Sequence, residues 1–234
     1  MHSYRHDFAL VYGRLSGQHA DRCAPGILEL LAPVRDGLVV ELGCGSGALT
    51  RHLLAAGLRV IATDASRDML ELARVRLGPD VDLRQLTLPD DPLPGLVDAI
   101  VSVGHAISYV PDAAAVDRTL TAAASALRPG GILAIDVCDL AFGEIAPGSS
   151  GRTGPDWAVI SQYSRPAPDK LVRDITTFVL DGSGSGSGSG AWRRDSEHHE
   201  NVLVDTARLP ALLAEHGSRR RLARRSAPRS CHPA

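Results

Sequence analysis

Apolar positions recur along the chain in two rhythms, and the change from one to the other divides it. Residues 3–31 carry apolar side chains at helical spacing, Phe8, Val11, Tyr12 and Leu15, then Ile27, Leu28, Leu30 and Leu31, which predicts helix in two pieces. From 38 to 138, short and nearly continuous apolar runs alternate with helical stretches. Strands are predicted over Leu38–Leu42, Arg59–Thr63, Val81–Leu88, Asp98–Val103 and Ile132–Val137. Between them, helices are predicted over Ala48–Ala56, Arg67–Leu77 with Ser66 as N-cap, and Ala113–Leu127. Gly57, Gly78-Pro79 and Pro129-Gly130-Gly131 close these helices. Strands that are apolar on both sides and joined by helices imply an α/β fold, a doubly wound, mostly parallel, Rossmann-like sheet covered on both faces.

Beyond about residue 140 the pattern changes. Trp157–Tyr163, Leu171–Leu180 and Ala191–Val204 read as strands with no helix between them, hence an antiparallel β insertion after strand five. The run 182–190, GSGSGSGSG, interrupts them as a low-complexity loop expected to be flexible. Leu209–Glu215 reads as a last helix. Residues 1–217 are thus expected to be one domain, with a core over 38–138 and the insertion over 140–205. The tail, 218–234, holds six arginines and no acid and reads as irregular.

Composition narrows the partners. Across 234 residues the apolar share is 44% and the net charge −2, so no basic excess points to nucleic acid and no charge imbalance to a membrane surface. Cys23, Cys44, Cys138 and Cys231 share no metal-type spacing and suit free thiols in a reducing, cytoplasmic setting. The N-terminal stretch lacks an apolar signal core, and no apolar run reaches the roughly 18 residues of a membrane span. A monomer or homodimer acting on a small molecule is the expectation.

The candidate chemistry starts at Glu41-Leu42-Gly43-Cys44-Gly45-Ser46-Gly47, a strand end, a glycine turn and a helix start. Glycines allow positive φ and close approach of a ligand to the backbone, and the free N–H groups of a helix start favour negative charge. Asp64 ends the next strand, where a carboxylate can accept hydrogen bonds from ribose hydroxyls. Loop and acid together predict a nucleoside-cofactor site. They leave the cofactor open, because Gly43-x-Gly45-x-x-Ala48 also satisfies the relaxed dinucleotide fingerprint.

The segment VVELGCGSGALT, residues 39–50, resembles the first motif of class I S-adenosylmethionine-dependent methyltransferases, an acid two residues before a Gly-x-Gly-x-Gly run. Asp64 matches that family's ribose-binding acid, and Leu127-Arg128-Pro129-Gly130-Gly131 its turn before strand five. The chain is most similar to bacterial small-molecule methyltransferases, which carry an antiparallel β insertion after strand five. The resemblance implies S-adenosylmethionine as cofactor and methyl transfer to an N or O nucleophile of a small molecule. It implies that Glu41 orders the loop and the cofactor's amino-acid end, and that the backbone of Gly43, Cys44, Gly45 and Gly47 contacts the cofactor. Ala65 and Met69 would follow Asp64 along the nucleoside, and Gly104 would meet it after strand four. Thr87, Leu88 and Asp90 stand where the family has an acid near the adenine. Tyr4 and Tyr12 are candidates to cover the cofactor, as N-terminal aromatics do in the family. The family's fold also ends in a sixth strand and an antiparallel seventh; residues 218–234 barely offer one strand, which predicts an incomplete sheet with an exposed edge.

For catalysis, His105 follows strand four at the carboxyl ends of the strands and is the first candidate for a base, with Tyr109 four residues on. His198 and His199 are adjacent on a predicted strand and therefore point to opposite faces, so they do not share a metal. Asp136 and Asp139 lack a further acid–amide partner, and no metal is expected. Two other readings stay open. A nicotinamide-dependent oxidoreductase would need a Tyr-x-x-x-Lys pair that Lys170, the only lysine, does not complete. A non-catalytic or truncated cofactor-binding protein would fit the unusual end.

Overall fold

The apolar run Leu38–Leu42 (β1) is buried from Val39 onward, which a strand can be only if both of its faces are covered. The structure, a computed structural model, describes residues 3–34, 36–146, 148–181 and 190–214. In it β1 is the centre of a five-stranded parallel sheet. Arg59–Asp64 (β2) and Val97–Ser102 (β4) flank it, with Asp82–Gln85 (β3) beyond β2 and Leu127–Ile135 (β5) beyond β4. Val39 joins the apolar layer on one face, with Leu49 and Leu53 of Ala48–Ala55 (α2) and Ala20, Ala24 and Leu31 of His6–Leu31 (α1). Its neighbours Val40 and Leu42 join the other layer, with Ile100 of β4 and Ala123 of Ala113–Ala126 (α4). A wholly buried Leu53 contributes about 1.5–3 kcal/mol of apolar transfer to this packing. Ser66 caps Arg67–Leu77 (α3) as predicted, accepting the Met69 N–H at 3.2 Å.

The insertion is a separate antiparallel sheet. Gly148–Thr153 (β6), Trp157–Ala167 (β7), Lys170–Leu180 (β8) and Trp192–Val202 (β9) pair in that order. Its inner face packs Val159 and Ile175 onto Phe8 and Val11 of α1. Leu140–Ile145 (α5) connects the two sheets, and Leu209–Ala214 (α6) packs against α4. Among the described residues no helix is long and apolar enough to cross a membrane.

Three differences from the predicted elements have physical causes. The first helix is unbroken, running through Gly13 and Pro25, because Phe8, Val11, Ala20, Ala24 and Leu31 all bury along it and hold it in place. Strand β5 starts at Leu127, and Pro129-Gly130-Gly131 forms an irregularity between its pairings with Val97 and Ala99. Strand β6 carries almost no apolar side chain and is held by its pairing with β7. The run 182–189 and the tail 215–234, with the expectations placed on them, lie outside the described residues.

Candidate active site

The glycine loop joins β1 to α2 through three residues with left-handed backbone, Gly43, Gly45 and Gly47. At Gly43 a side chain would collide with the Cβ of Ala106, in the turn that follows β4, so this turn and the loop pack backbone to side chain. At Gly45 a Cβ would meet nothing within 4 Å, because the loop there faces a cavity of about 1060 Å³. Asp64 holds the loop in this shape: its carboxylate accepts the Gly45 N–H at 2.9 Å and the Ser66 N–H at 2.8 Å. Burial raises its pKa, against the lowering effect of those backbone donors. Glu41 lies deeper, 2% exposed, and accepts the Thr50 hydroxyl at 2.6 Å. Burial is the main cause that pushes its pKa up to about 8; the nearby Asp64 charge adds to it.

Most of the residues singled out from the sequence meet around this cavity. Glu41, Gly43, Cys44, Gly45 and Asp64 line it at the strand ends, with Ala65 and Met69 beside them. Thr87, Leu88 and Asp90 form another wall, while the neighbouring Asp91 is engaged by the Thr87 N–H at 2.7 Å. Gly104, Tyr12 and Tyr109 line it from the side of β4 and α1. Two predicted residues do not reach it. Gly47 starts α2 and faces Leu77, where a Cβ would sit 2.6 Å from the leucine Cδ1. His105 is in the right place along the chain but turned away. Asp136 accepts its N–H at 2.8 Å and that of Gly104 at 2.9 Å, and the imidazole lies 3.6 Å from the same carboxylate and 5.6 Å from the Phe142 ring. Asp139 caps α5, accepting the Phe142 N–H at 2.7 Å.

The remaining wall comes from parts of the chain that are remote in sequence. Ser3, Tyr4 and Arg5 cross the cavity ahead of α1, and Asn201 and Val202 reach it from β9. The Tyr4 hydroxyl lies 2.9 Å from that of Tyr109, which in turn lies 3.1 Å from Nδ1 of His199. Nε2 of His199 is 2.7 Å from Glu197, whose carboxylate also accepts the backbone N–H groups of Tyr4 and Arg5. The Arg173 guanidinium lies over the Phe8 and Tyr163 rings and donates to Ser161. Asn201 is 6% exposed, and its Nδ2 has no hydrogen-bond partner among the described residues. Glu197 and Asn201 carry no local motif; only alternation along β9, which turns 197, 199 and 201 inward together, signals them.

Comparison with known proteins bears on which cofactor this geometry serves. Residues 39–131, the span from β1 to the turn within β5, match the methyltransferase domain family. In sequence this core is similar to methyltransferase domains, and its sheet has their doubly wound fold. An uncharacterized methyltransferase of Mycobacterium tuberculosis is 32% identical over 138 residues, covering 56% of this chain and 53% of the relative. The chain thus spans about half the length of the curated relatives it matches first. A methyltransferase from Clostridium acetobutylicum superposes with a TM-score of 0.74 at 19% identity, over 89% of this chain and 85% of that one. A SAM-bound amino pentose methyltransferase from Micromonospora echinaspora gives 0.67 at 22% identity, over 89% and 86%. Both likenesses show the shared fold. The methyltransferase match favours S-adenosylmethionine over a dinucleotide, the choice that loop and acid alone left open. The cavity fits it, with an open face at Gly45, where any side chain would take up ligand space, and a buried carboxylate at the end of β2.

Proposed function

We propose that the chain transfers the methyl group of S-adenosylmethionine to an amine or hydroxyl of a small polar molecule. The observation that carries this is a single cavity in which the glycine loop and Asp64 face phenol hydroxyls and Asn201, whose Nδ2 has no partner among the described residues. At about 1060 Å³ it exceeds the roughly 300–1,000 Å³ of an ordinary ligand pocket, leaving room for a nucleoside cofactor and a second small molecule. In this reading Asp64 accepts the ribose hydroxyls, with Gly43, Cys44 and Gly45 offering backbone and Glu41 facing the amino-acid end. Ala65, Met69, Thr87 and Leu88 hold the adenosine, and Gly104 and Tyr12 close the side toward the acceptor.

When bound, the cofactor supplies an electrophilic methyl on a sulfonium that departs as a neutral thioether. What the protein adds is position and dryness. Tyr4, Tyr12 and Phe8 pack ring to ring, 4.9–5.7 Å between centroids, and exclude water from the acceptor side. Tyr109, rather than His105, presents a hydroxyl there. The donor at Asn201 and the hydroxyl acceptors suit a ligand rich in hydroxyls or amines. The amino pentose methyltransferase of like fold supports an amine-bearing sugar as acceptor.

Calorimetric titration with S-adenosylmethionine, its demethylated product and NAD tests the cofactor, and mass-spectrometric detection of methylated amino sugars tests the transfer. Binding of the first two but not NAD, with a mass gain of one methyl on an acceptor, is expected. Binding of NAD alone, or no methylated product across a panel of amino sugars and phenols, would refute the proposal.

A further inference from the structure

The inward face of β9 presents a carboxylate, an imidazole and a carboxamide in succession. Glu197, His199 and Asn201 are 8%, 0% and 6% exposed. Strands of antiparallel sheets ordinarily turn apolar side chains inward, so a polar inner row requires a use. The hydrogen bonds along it have a fixed direction. A carboxylate only accepts, so the His199 ring must carry its hydrogen on Nε2, toward Glu197 at 2.7 Å. Burial lowers the pKa of His199 and keeps the ring neutral, which leaves a lone pair on Nδ1. The Tyr109 hydroxyl, 3.1 Å away, therefore donates to Nδ1. Its oxygen is then the acceptor for the Tyr4 hydroxyl at 2.9 Å. Every link points from the cavity toward Glu197. Tyr4 lines the cavity with its hydrogen committed to Tyr109, and its oxygen also meets the Tyr12 hydroxyl.

We propose that Tyr4, Tyr109, His199 and Glu197 form a proton-accepting relay that takes the hydrogen from the acceptor's nucleophile; this rests on the methyl transfer proposed above. With a hydroxyl acceptor the O–H bond breaks as its electron pair, kept on oxygen, forms the bond to the methyl carbon. The proton passes to the Tyr4 oxygen, the Tyr4 proton to Tyr109, and the Tyr109 proton to Nδ1 of His199. With an amine the nitrogen lone pair forms the bond, and the relay takes a proton from the methylated ammonium. In both cases one proton enters and an imidazolium results, beside the Glu197 carboxylate. Proton return by the same path as product leaves resets the chain. Tyr4 is the member that touches substrate, while His199 and Glu197 are positioning residues.

The groups facing His199 set how readily it takes that proton. Glu197 on its own strand favours the imidazolium. Arg173, its cross-strand partner on β8, opposes it, while Tyr4, Tyr109 and Phe8 supply only rings and hydroxyls. His198 turns outward to Asp174. The imidazole is thus built to stay neutral at rest, with a counter-charge in place for the moment it is protonated.

Nitrogen NMR of the full chain with 15N-labelled histidine, without ligand, reads the direction of the chain directly. His199 is assigned by the signal lost in His199→Gln. The expected result is hydrogen on Nε2 and an unprotonated Nδ1 at pH 7, with the Nδ1 resonance displaced in Tyr109→Phe. In steady-state assays on an amino hexose, Tyr109→Phe is expected to lower kcat by about tenfold to a hundredfold, toward the low end of what proton acceptors contribute. KM and the calorimetric affinity for S-adenosylmethionine should change less than about threefold, and the acidic limb of the kcat–pH profile should disappear. Hydrogen on Nδ1 overturns the relay, as does an unchanged kcat and pH profile in folded Tyr109→Phe. If the wild-type chain methylates no acceptor, the proposed function fails, and the imidazole signal still decides the direction on which the relay stands.

Discussion

Glu41 offers a measurement that needs neither substrate nor cofactor. It is buried in the floor of the site with one hydrogen bond, from Thr50, and burial pushes its pKa from the ordinary 4.5 up to about 8. The folded chain therefore keeps a proton that the unfolded chain has already released. Stability from this group is fully present below pH 4.5, falls as pH rises, and is lost once pH passes about 8. At about 1.4 kcal/mol per pH unit the whole span is worth about 5 kcal/mol, and the part between pH 6 and pH 8 about 2 kcal/mol. For a chain of this size that is about 4–8 °C in melting temperature. Urea melts of the ligand-free protein at pH 6 and pH 8 would show this loss, and Glu41→Gln, which cannot ionise, should lack it. The difference between the two proteins cancels the histidines that titrate in the same range. Equal pH dependence in both would refute the argument. With S-adenosylmethionine bound, a ligand ammonium near Glu41 favours its charged form, so binding near pH 7 is expected to release a proton, read by calorimetry in buffers of different ionisation enthalpy.

Other expectations follow from single contacts. Asp64→Ala should weaken S-adenosylmethionine binding by about 1.5–3 kcal/mol, the scale of hydrogen bonds to a charged group; unchanged affinity in the folded variant would move the ribose elsewhere. Gly43→Ala places a side chain at φ +72° and against the Ala106 Cβ, so urea denaturation should show a loss of about 2–5 kcal/mol, and a loss below about 1 kcal/mol would contradict the packing described. Asn201→Leu removes a buried donor without a partner and should leave the ligand-free protein as stable or stabler by about 1–3 kcal/mol. The same variant should raise the acceptor's KM by about tenfold with cofactor affinity unchanged, as an interaction made with substrate alone requires. A destabilised Asn201→Leu would show that the amide has a partner.

The core could be read from the chain because its strands are buried on both faces. Leu38–Leu42 and Arg67–Leu77 carry their boundaries in apolar runs, a cap and a glycine stop. Strand β6 has no such signal, since GSSGRT is held by backbone pairing alone. On the cofactor side, chemistry and position coincide: Glu41, Gly43 and Asp64 sit at strand ends, where local sequence determines where the residues go. Local sequence does not determine which way they face. His105 ends up turned toward Phe142 because Asp136 draws in two successive backbone N–H groups. The acceptor side was the least legible, because Glu197 meets Tyr4 across 193 residues of chain. Parity along β9 was the one usable clue: His198 lies exposed beside Asp174, and His199 is wholly buried.

That parity also bears on how such a protein can diversify. Along β9, 198 and 200 face outward, with Glu200 also at the edge of the cavity, whereas 197, 199 and 201 turn inward and Asn201 lines the cavity. Insertion or deletion of one residue within the strand would exchange the two sets at once and put His198 and Glu200 inside. Descendants of this chain can therefore try new acceptors through point changes at 201 without disturbing the imidazole two positions away. Changes in length are tolerated only where the strand has already ended.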